Sequence, residues 1–233
     1  MSLTALTVVT AASELPITLG EAKQHLRITN SAEDEYIQSL IAAATDWAQT
    51  FMRRILVDTN CHYKFDRFPS SGEQFYVGSS DIAYYVLRRN VYTRNVSINS
   101  RDRAIFLPGG FINAVNEIAY TDELDAPQTL TGPTSAAPGT DYQEDLTDDE
   151  WAFVYPARED TWPSTLAGAV NPITVDFQAG WAAAGDIPES IRYAIRFKMA
   201  DMFTIRDTAD AGGKSGLLQA AENLLNPYVV TLI

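Results

Sequence analysis

Thr18-Leu-Gly-Glu-Ala-Lys-Gln-His-Leu26 is the stretch that sets the start of the fold. Its first four residues form a capping box, in which the Thr18 hydroxyl accepts from a backbone N–H and Glu21 reaches back. The apolar residues that follow are spaced so that they fall on one face of a helix ending near Arg27. The sequence therefore predicts a short, capped helix with one buried face.

A second, longer helix is predicted immediately after it. Asn30 or Ser31 can cap this helix, and the acids at 33–35 stand at its positive end, where they favour helix formation. Helical spacing continues to about Arg54 and defines one apolar stripe, made of Ile37, Leu40, Ile41, Ala44, Ala48 and Phe51.

Helical patterns return near the C-terminus. Pro188 suits a first helical position, and the residues after it repeat an apolar stripe to Phe203. Ser215 can cap a last short helix that Pro227 ends. Because the helices at the two ends of the chain each have one apolar face, we expect them to cover each other in a bundle.

Between these helices the pattern changes to short segments rich in β-branched and aromatic residues, separated by Gly, Pro and Ser. The predicted strands are 62–68, 75–77, 83–87, 91–98, 104–107, 115–120, 151–155 and 173–177. The fold class is thus α+β: an antiparallel helical bundle formed by N- and C-terminal helices, with an inserted antiparallel β-rich domain. The predicted parts are an N-terminal helical part at 1–58, the β-rich domain at 59–180, and a C-terminal helical part with an apolar tail at 181–233.

Composition limits the function classes. The 233 residues are 46% hydrophobic and 20% charged, which is typical of a folded protein. One cysteine, Cys61, excludes an intramolecular disulfide and a cysteine-based metal cluster, and two histidines make a multi-histidine metal centre hard to build. Apolar runs are too short to span a bilayer, and Met1 to Ala12 lacks the basic start of a signal peptide. We expect a soluble, intracellular chain that does not contact a membrane.

No motif supports catalysis. Gly213-Lys-Ser215 resembles the end of a phosphate-binding loop, but Thr208 stands where its first glycine should be and a helix precedes it. Cys61 and His62 are adjacent on a predicted strand, so they point to opposite faces and cannot act as nucleophile and base. The acidic run 144–150 lacks the ligand spacing of a calcium loop. We expect no enzymatic activity, no catalytic or metal-binding residues and no cofactor.

The net charge of −13 is unevenly distributed. Residues 117–160 hold twelve acids and one base, whereas 88–103 hold five arginines and one acid. One interpretation is a solvated acidic face beside an arginine-bearing hairpin. The other is a pair of complementary patches that meet between copies of the chain, as in a head-to-tail contact. The candidate basic side is Arg88, Arg89, Arg94, Arg101 and Arg103; the candidate acidic side, at the interface or in a lumen, is Asp122, Glu123, Asp125, Glu144, Asp145, Asp148, Asp149 and Glu150.

The order of elements resembles that of phage head–tail connector (adaptor) proteins of long-tailed phages and gene transfer agents. The segments that carry the resemblance are Leu15–Arg27, Asp34–Ala44, Phe106–Gly110, Val115–Tyr120, Ile173–Gly180, Ile187–Ile195 and Asn223–Tyr228. They cover nearly the whole chain, and they are structural signatures rather than catalytic ones. The segment from about Ser70 to Arg103 is longer than the family pattern leads us to expect.

The resemblance implies a structural virion protein that lies at the head–tail interface of the particle and is in the host cytoplasm during assembly. Such a protein forms a dodecameric ring beneath the portal protein, extends the DNA channel, and offers a docking surface to a stopper or tail-completion protein. DNA would pass through without sequence-specific binding, because an acidic wall repels phosphate. The competing interpretation is a stand-alone β-rich module that binds a protein and belongs to no ring.

The C-terminal tail is the last candidate surface. Beyond the helix, five apolar side chains fall within six residues, so we expect 226–233 to be a portal-docking segment ordered mainly in the particle. Two alternatives remain open: the tail adds an edge strand to its own β domain, or it plugs the helical core. The candidate docking residues are Pro227, Tyr228, Val229, Val230, Leu232 and Ile233.

Overall fold

A computed structural model describes residues 5–10, 12, 14–69, 103–107, 109–133, 141–147, 152–157, 161–205 and 216–230. The strands predicted at 75–77, 83–87 and 91–98 lie outside these residues. The chain divides into two compact units. The helical unit comprises 12–58 and 180–230, and the β unit contains strand 5–10 together with 59–179.

Among the described residues, the helical unit contains four α-helices around one apolar core. They are α1 (Leu19–Leu26), α2 (Asp34–Met52), α3 (Glu189–Thr204) and α4 (Gly216–Leu225), with 3₁₀ turns at Ala184–Asp186 and Asn226–Tyr228. The stripes predicted from spacing meet in this core, where Ile37, Ile41, Ile191 and Ile195 are each 0–1% exposed. The bundle of N- and C-terminal helices is therefore confirmed.

The start of α1 is the predicted capping box. The Glu21 N–H donates to the Thr18 hydroxyl at 3.2 Å, and the Thr18 N–H donates to the Glu21 carboxylate at 2.8 Å. Helix α2 begins slightly later than predicted, at Asp34. The side chain of Asn30 instead accepts from the Ala32 N–H at 3.1 Å, so Asn30 holds a turn before the helix rather than capping it.

Ion pairs join α1 to α3. The Glu21 carboxylate, already bound to Thr18, also accepts from the guanidinium of Arg192 and from Arg196 Nη2, the latter at 2.9 Å. The Glu189 carboxylate lies 3.6 Å from Nη1, the other terminal nitrogen of Arg196. The Arg196 side chain is only 10% exposed, so these carboxylates compensate a largely buried charge.

In the part of the β unit that the structure describes, eight strands form two antiparallel sheets. They are β1 (Ala5–Thr10), β2 (Thr59–Phe65), β3 (Ile105–Leu107), β4 (Ile112–Thr121), β5 (Pro127–Leu130), β6 (Tyr142–Asp145), β7 (Ala152–Pro156) and β8 (Ile173–Ala179). The five-stranded sheet has the order β1-β2-β8-β4-β5, and the three-stranded sheet has the order β3-β7-β6. The α+β fold class, with an antiparallel β-rich insertion between the helices, is confirmed.

Strand β1 was not predicted. The sequence pattern predicts residues 1–58 as part of the helical region, but Ala5–Thr10 pairs with β2, from Ala5 opposite Lys64 to Thr10 opposite Asn60. The segment has no charged residue and is rich in Val and Thr, which favours a strand. Because the segment is short and has no flanking turn signals, the sequence pattern does not distinguish this strand from other apolar residues.

An aromatic cluster holds the end of the central strands. Phe65 on β2 contacts Phe68 edge-on, and Phe68 stacks on Trp162 with ring centroids 4.9 Å apart. Trp162 also donates its indole N–H to the Arg103 carbonyl at 2.6 Å. This bond ties the chain just before β3 to the core of the β unit.

Gly180 follows β8 at a point where a side chain does not fit. Its φ is +101°, and a Cβ atom would lie 2.6 Å from the backbone carbonyl of Val57. We expect Gly180→Ala to destabilise the helical unit by about 1–3 kcal/mol, through backbone strain and this contact. Gly185→Ala is the matched control, because nothing lies within 4 Å of its Cβ position. Urea denaturation of both variants tests the difference; equal midpoints would contradict it.

Candidate interaction surfaces

The predicted basic side is only partly within the described structure. Arg88, Arg89, Arg94 and Arg101 lie outside the described residues. Arg103 is described, and the backbone bond from Trp162 fixes it at the start of β3. The sequence-predicted pairing of these arginines with acids of another copy therefore stays a prediction.

The turn between β4 and β5 is acidic and internally fixed. One carboxylate oxygen of Asp122 accepts from the N–H groups of Leu124 and Ala126 at 2.9 and 3.0 Å, and the other accepts from Gln128 at 2.9 Å. The hydrogen bond from the Ala126 N–H, followed by that from Gln128, lowers the pKa of the Asp122 carboxyl. Asp122 thus shapes the turn, while its neighbours Glu123 and Asp125 are exposed to solvent.

The remaining predicted acids also differ in their exposure to solvent. Glu144 on β6 is half-buried, and this burial raises the pKa of its carboxyl. Asp145 is exposed, and its carboxylate accepts from the Thr147 N–H at 3.4 Å. Asp148, Asp149 and Glu150 lie outside the described residues. Of the acids predicted from sequence, Glu123, Asp125 and Asp145 are therefore the described ones that are exposed to solvent.

A polar cluster that was not predicted from sequence lies on the face of the central strands opposite to the buried core. Asp176 on β8 accepts from Asn116 at 2.7 Å and lies 2.9 Å from His62 Nε2 on β2. Strand alternation assigns each of these side chains to one face of its own strand, but the register that makes His62 and Asp176 partners joins residues 114 positions apart and is not given by any local pattern. Within the described residues, no group of three or more His, Cys, Asp or Glu side chains could hold a metal ion.

Cys61 lies on the opposite face from His62, as the sequence predicted. Its side chain is fully buried, and burial, with a smaller contribution from the Asp176 charge, raises the pKa of the thiol to about 11. A thiol with such a pKa stays protonated near neutral pH, so it is a poor nucleophile.

The described part of the chain also has no helix long and apolar enough to cross a membrane.

The C-terminal tail is ordered against its own helices as far as Val230. The Tyr228 carbonyl accepts from Arg54 Nε at 2.6 Å, and the Tyr228 hydroxyl lies 2.8 Å from that of Ser190. The Val230 N–H donates to the Met52 carbonyl at 3.0 Å, and the Val230 side chain is buried. The expectation of a tail ordered mainly in the particle is therefore wrong for 226–230, which covers the helical core. Leu232 and Ile233 lie outside the described residues.

Comparisons with known proteins agree with this architecture. Residues 16–123 match the family model described as phage gp6-like head-tail connector protein. No curated protein sequence matches the chain.

Among solved structures, a chain from the neck of an empty gene transfer agent particle, computed with C6 symmetry, has a TM-score of 0.65 at 16% identity. That match covers 97% of this chain and 96% of the other. A chain from the virion of a native gene transfer agent particle has a TM-score of 0.62 at 15% identity, covering 94% of both chains. One from the neck of the native particle, computed with C12 symmetry, has a TM-score of 0.55 at 14% identity, with 94% of both chains covered. At such identities these matches establish a shared fold.

Proposed function

Because the resemblance to phage head–tail connector proteins is confirmed over residues 16–123, we propose that this chain is a structural connector in the neck of a tailed phage or phage-like particle. The observation that carries the proposal is the combination of this family match with a fold shared along nearly the whole chain with a neck protein. The role is structural rather than catalytic. Cys61, the one cysteine, is buried with a raised pKa, and no catalytic motif is present in the sequence.

The finer proposal is a homo-oligomeric ring, a dodecamer in the particle, that docks beneath the portal protein. The ring extends the DNA channel and receives a stopper or tail-completion protein on its other side. The acidic charge suits a channel wall, since a net charge of −13 disfavours adhesion to phosphate. Exposed Glu123 and Asp125, held on a rigid turn, are the described acids that fit such a wall or a subunit contact.

Electron microscopy of the protein mixed with its cognate portal protein tests the proposal. We expect rings stacked coaxially on the portal, with the symmetry of a closed oligomer. A chain that stays monomeric with and without the portal, judged by light scattering and by micrographs, would favour the stand-alone binding module instead.

Charge pairing between copies is a separate prediction. Reversing Arg88, Arg89 and Arg94 to Glu should weaken ring formation and reduce its sensitivity to salt, if these arginines meet the acidic side of the neighbouring copy. Exposed ion pairs each contribute about 0–1 kcal/mol, so the effect needs several together. Sedimentation at two salt concentrations measures it. Arg27→Glu, Arg53→Glu and Arg67→Glu combined make the same change of charge outside the predicted patch. Assembly of the first triple variant at wild-type strength would refute the pairing.

A further inference from the structure

The two outer strands of the five-stranded sheet share an unusual property. β1 and β5 each have no partner on their outer side among the described residues, and neither contains a charged residue. Outer strands of soluble proteins usually carry lysines or other charges that prevent pairing with another chain. Here the protection is slight, consisting of one irregularity after Val8 on β1 and Pro127 at the start of the short β5.

Strand β1 also exposes apolar side chains that belong to the core face of the sheet. Leu6 and Val8 pair with Tyr63 and Cys61, which are 2% and 0% exposed, yet Leu6 and Val8 themselves are 43% and 54% exposed. The apolar face of the sheet therefore continues onto β1, where its side chains remain about half-exposed. Burying such surface is favourable, so this edge is suited to a partner.

The opposite edge offers a complementary feature. Leu124 lies in the turn that leads into β5 and is 88% exposed. The hydrogen bonds of Asp122 to Leu124 and Ala126 fix this turn, so the side chain is presented without much loss of entropy on binding. Both edges thus combine a strand without charged residues with exposed apolar side chains, and at the β5 edge the apolar side chain of Leu124 stands in the acidic turn between exposed Glu123 and Asp125.

We propose that β1 of one copy pairs with β5 of the next copy, so that the five-stranded sheets of neighbouring subunits form one continuous sheet. All neighbouring strands in the sheet are antiparallel, so β1, β8 and β5 run in the same direction and the new pair is parallel. The contact uses two different surfaces, which is the condition for a closed ring. The inference rests on the proposed function and names the surface by which the ring is made.

A second copy is the occupant that the charge pattern favours. Two chains of net charge −13 repel one another over most contacts, whereas the two uncharged edges can approach without placing like charges together. Backbone hydrogen bonds then supply affinity, as in other strand additions, and Leu124 of one copy lies at the end of the pair where β1 begins.

Lysines on β1 test the proposal. We expect Leu6→Lys/Val8→Lys to raise the concentration for half-maximal ring assembly at least about tenfold, because charges would be buried at the contact. The melting temperature of the monomer should stay near that of wild type, since both side chains are half-exposed. Val170→Lys/Leu217→Lys is the matched control. It adds the same charge at exposed apolar positions outside both edges and should assemble like wild type.

Disulfide trapping gives an independent readout of which strands meet. Thr7 on β1 and Thr129 on β5 are exposed. Thr7 pairs with His62, and Thr129 is connected through Ala119 and Thr174 to Lys64. His62 and Lys64 are two residues apart on β2, so Thr7 and Thr129 lie on the same face of the sheet. A Thr7→Cys/Thr129→Cys variant should give a ladder of oxidised oligomers on a denaturing gel. Each single-cysteine variant should give none, and buried Cys61 stays unreactive.

Each outcome of these experiments is decisive. Rings of the β1 lysine variant at wild-type concentrations would overturn the inference while leaving the connector function standing. A disulfide dimer from Thr7→Cys alone would show that β1 pairs with itself, which also overturns it. Absence of rings from the wild-type chain, even with the portal protein, would instead count against the proposed function.

Discussion

Replacing Glu21 with Ala is expected to destabilise the helical unit by about 2–4 kcal/mol. This carboxylate completes the capping box of α1 and accepts hydrogen bonds from the guanidinium groups of Arg192 and Arg196. Without it, α1 keeps the Thr18 hydroxyl as its N-cap but loses the carboxylate that accepts from the Thr18 N–H. Arg196, whose side chain is 10% exposed, retains a more distant carboxylate at 3.6 Å. Leaving a largely buried charge undercompensated is costly, so the effect should exceed that of an ordinary surface variant.

Glu189→Ala is the matched control for Glu21→Ala. Glu189 also contacts Arg192 and Arg196, but at 3.4 and 3.6 Å and with a side chain that is 58% exposed. Its loss should cost no more than about 1 kcal/mol. Chemical denaturation followed by far-UV circular dichroism compares the two variants. Equal losses of stability would mean that the two arginines do not depend on Glu21.

The same carboxylate makes stability depend on pH. Burial alone would raise the pKa of Glu21, but hydrogen bonds from Thr18 and the charges of Arg192 and Arg196 outweigh it and lower the pKa overall. A carboxyl with a lowered pKa in the folded state stabilises the fold above its unfolded pKa. This contribution is lost as the pH falls through the folded pKa. Wild type should therefore lose stability at acid pH more steeply than Glu21→Ala.

The helical unit was predictable because its signals are local. The capping box of Thr18 and Glu21 and the apolar stripes of α2 and α3 depend on spacings of three and four residues within one segment. What sequence did not reveal is the long-range contact between them. The ion pairs of Glu21 join residues 171 and 175 positions apart in the chain, and no local pattern indicates which arginine a carboxylate will meet.

In the β unit, some strands were predicted from sequence and others were not. Strands β2, β3, β4, β7 and β8 were predicted, because each combines β-branched and aromatic residues over several positions. Strands β5 and β6 were missed, since four residues such as Pro127–Leu130 are too few to show alternation. The acidic candidates were found from composition alone. Composition could not distinguish Asp122, whose carboxylate accepts hydrogen bonds from the backbone of its own turn, from exposed Glu123.

The tail illustrates how the same residues support two interpretations. Tyr228, Val229 and Val230 were assigned to portal docking because a solvent-exposed tail is normally polar. In the structure these residues pack on the helical core, so their apolar character already has an explanation within the chain. A docking role for them, and for Leu232 and Ile233, stays a proposal that must be separated from this structural role.

Deleting residues 227–233 is therefore expected to destabilise the helical unit by about 3–5 kcal/mol, from the lost burial of Val230 and the lost acceptor of Arg54. Arg54 is buried, and its Nε donates to the Tyr228 carbonyl at 2.6 Å. For a chain of this size each kcal/mol lowers the melting temperature by about 2–4 °C, so the change is readily measured. A truncated protein that melts like wild type would show that the tail is dispensable to the core.

Leu232→Ser/Ile233→Ser separates stability from docking. This variant keeps the chain length and every contact described for Tyr228 and Val230, so its melting temperature should match that of wild type. It removes the apolar side chains at the end of the tail, which the core contacts of 226–230 do not account for. If these side chains bind the portal protein, co-sedimentation of the variant with the portal should be lost while folding is intact. Unimpaired attachment would exclude Leu232 and Ile233 as docking residues and leave the tail of this chain a structural part of the helical unit.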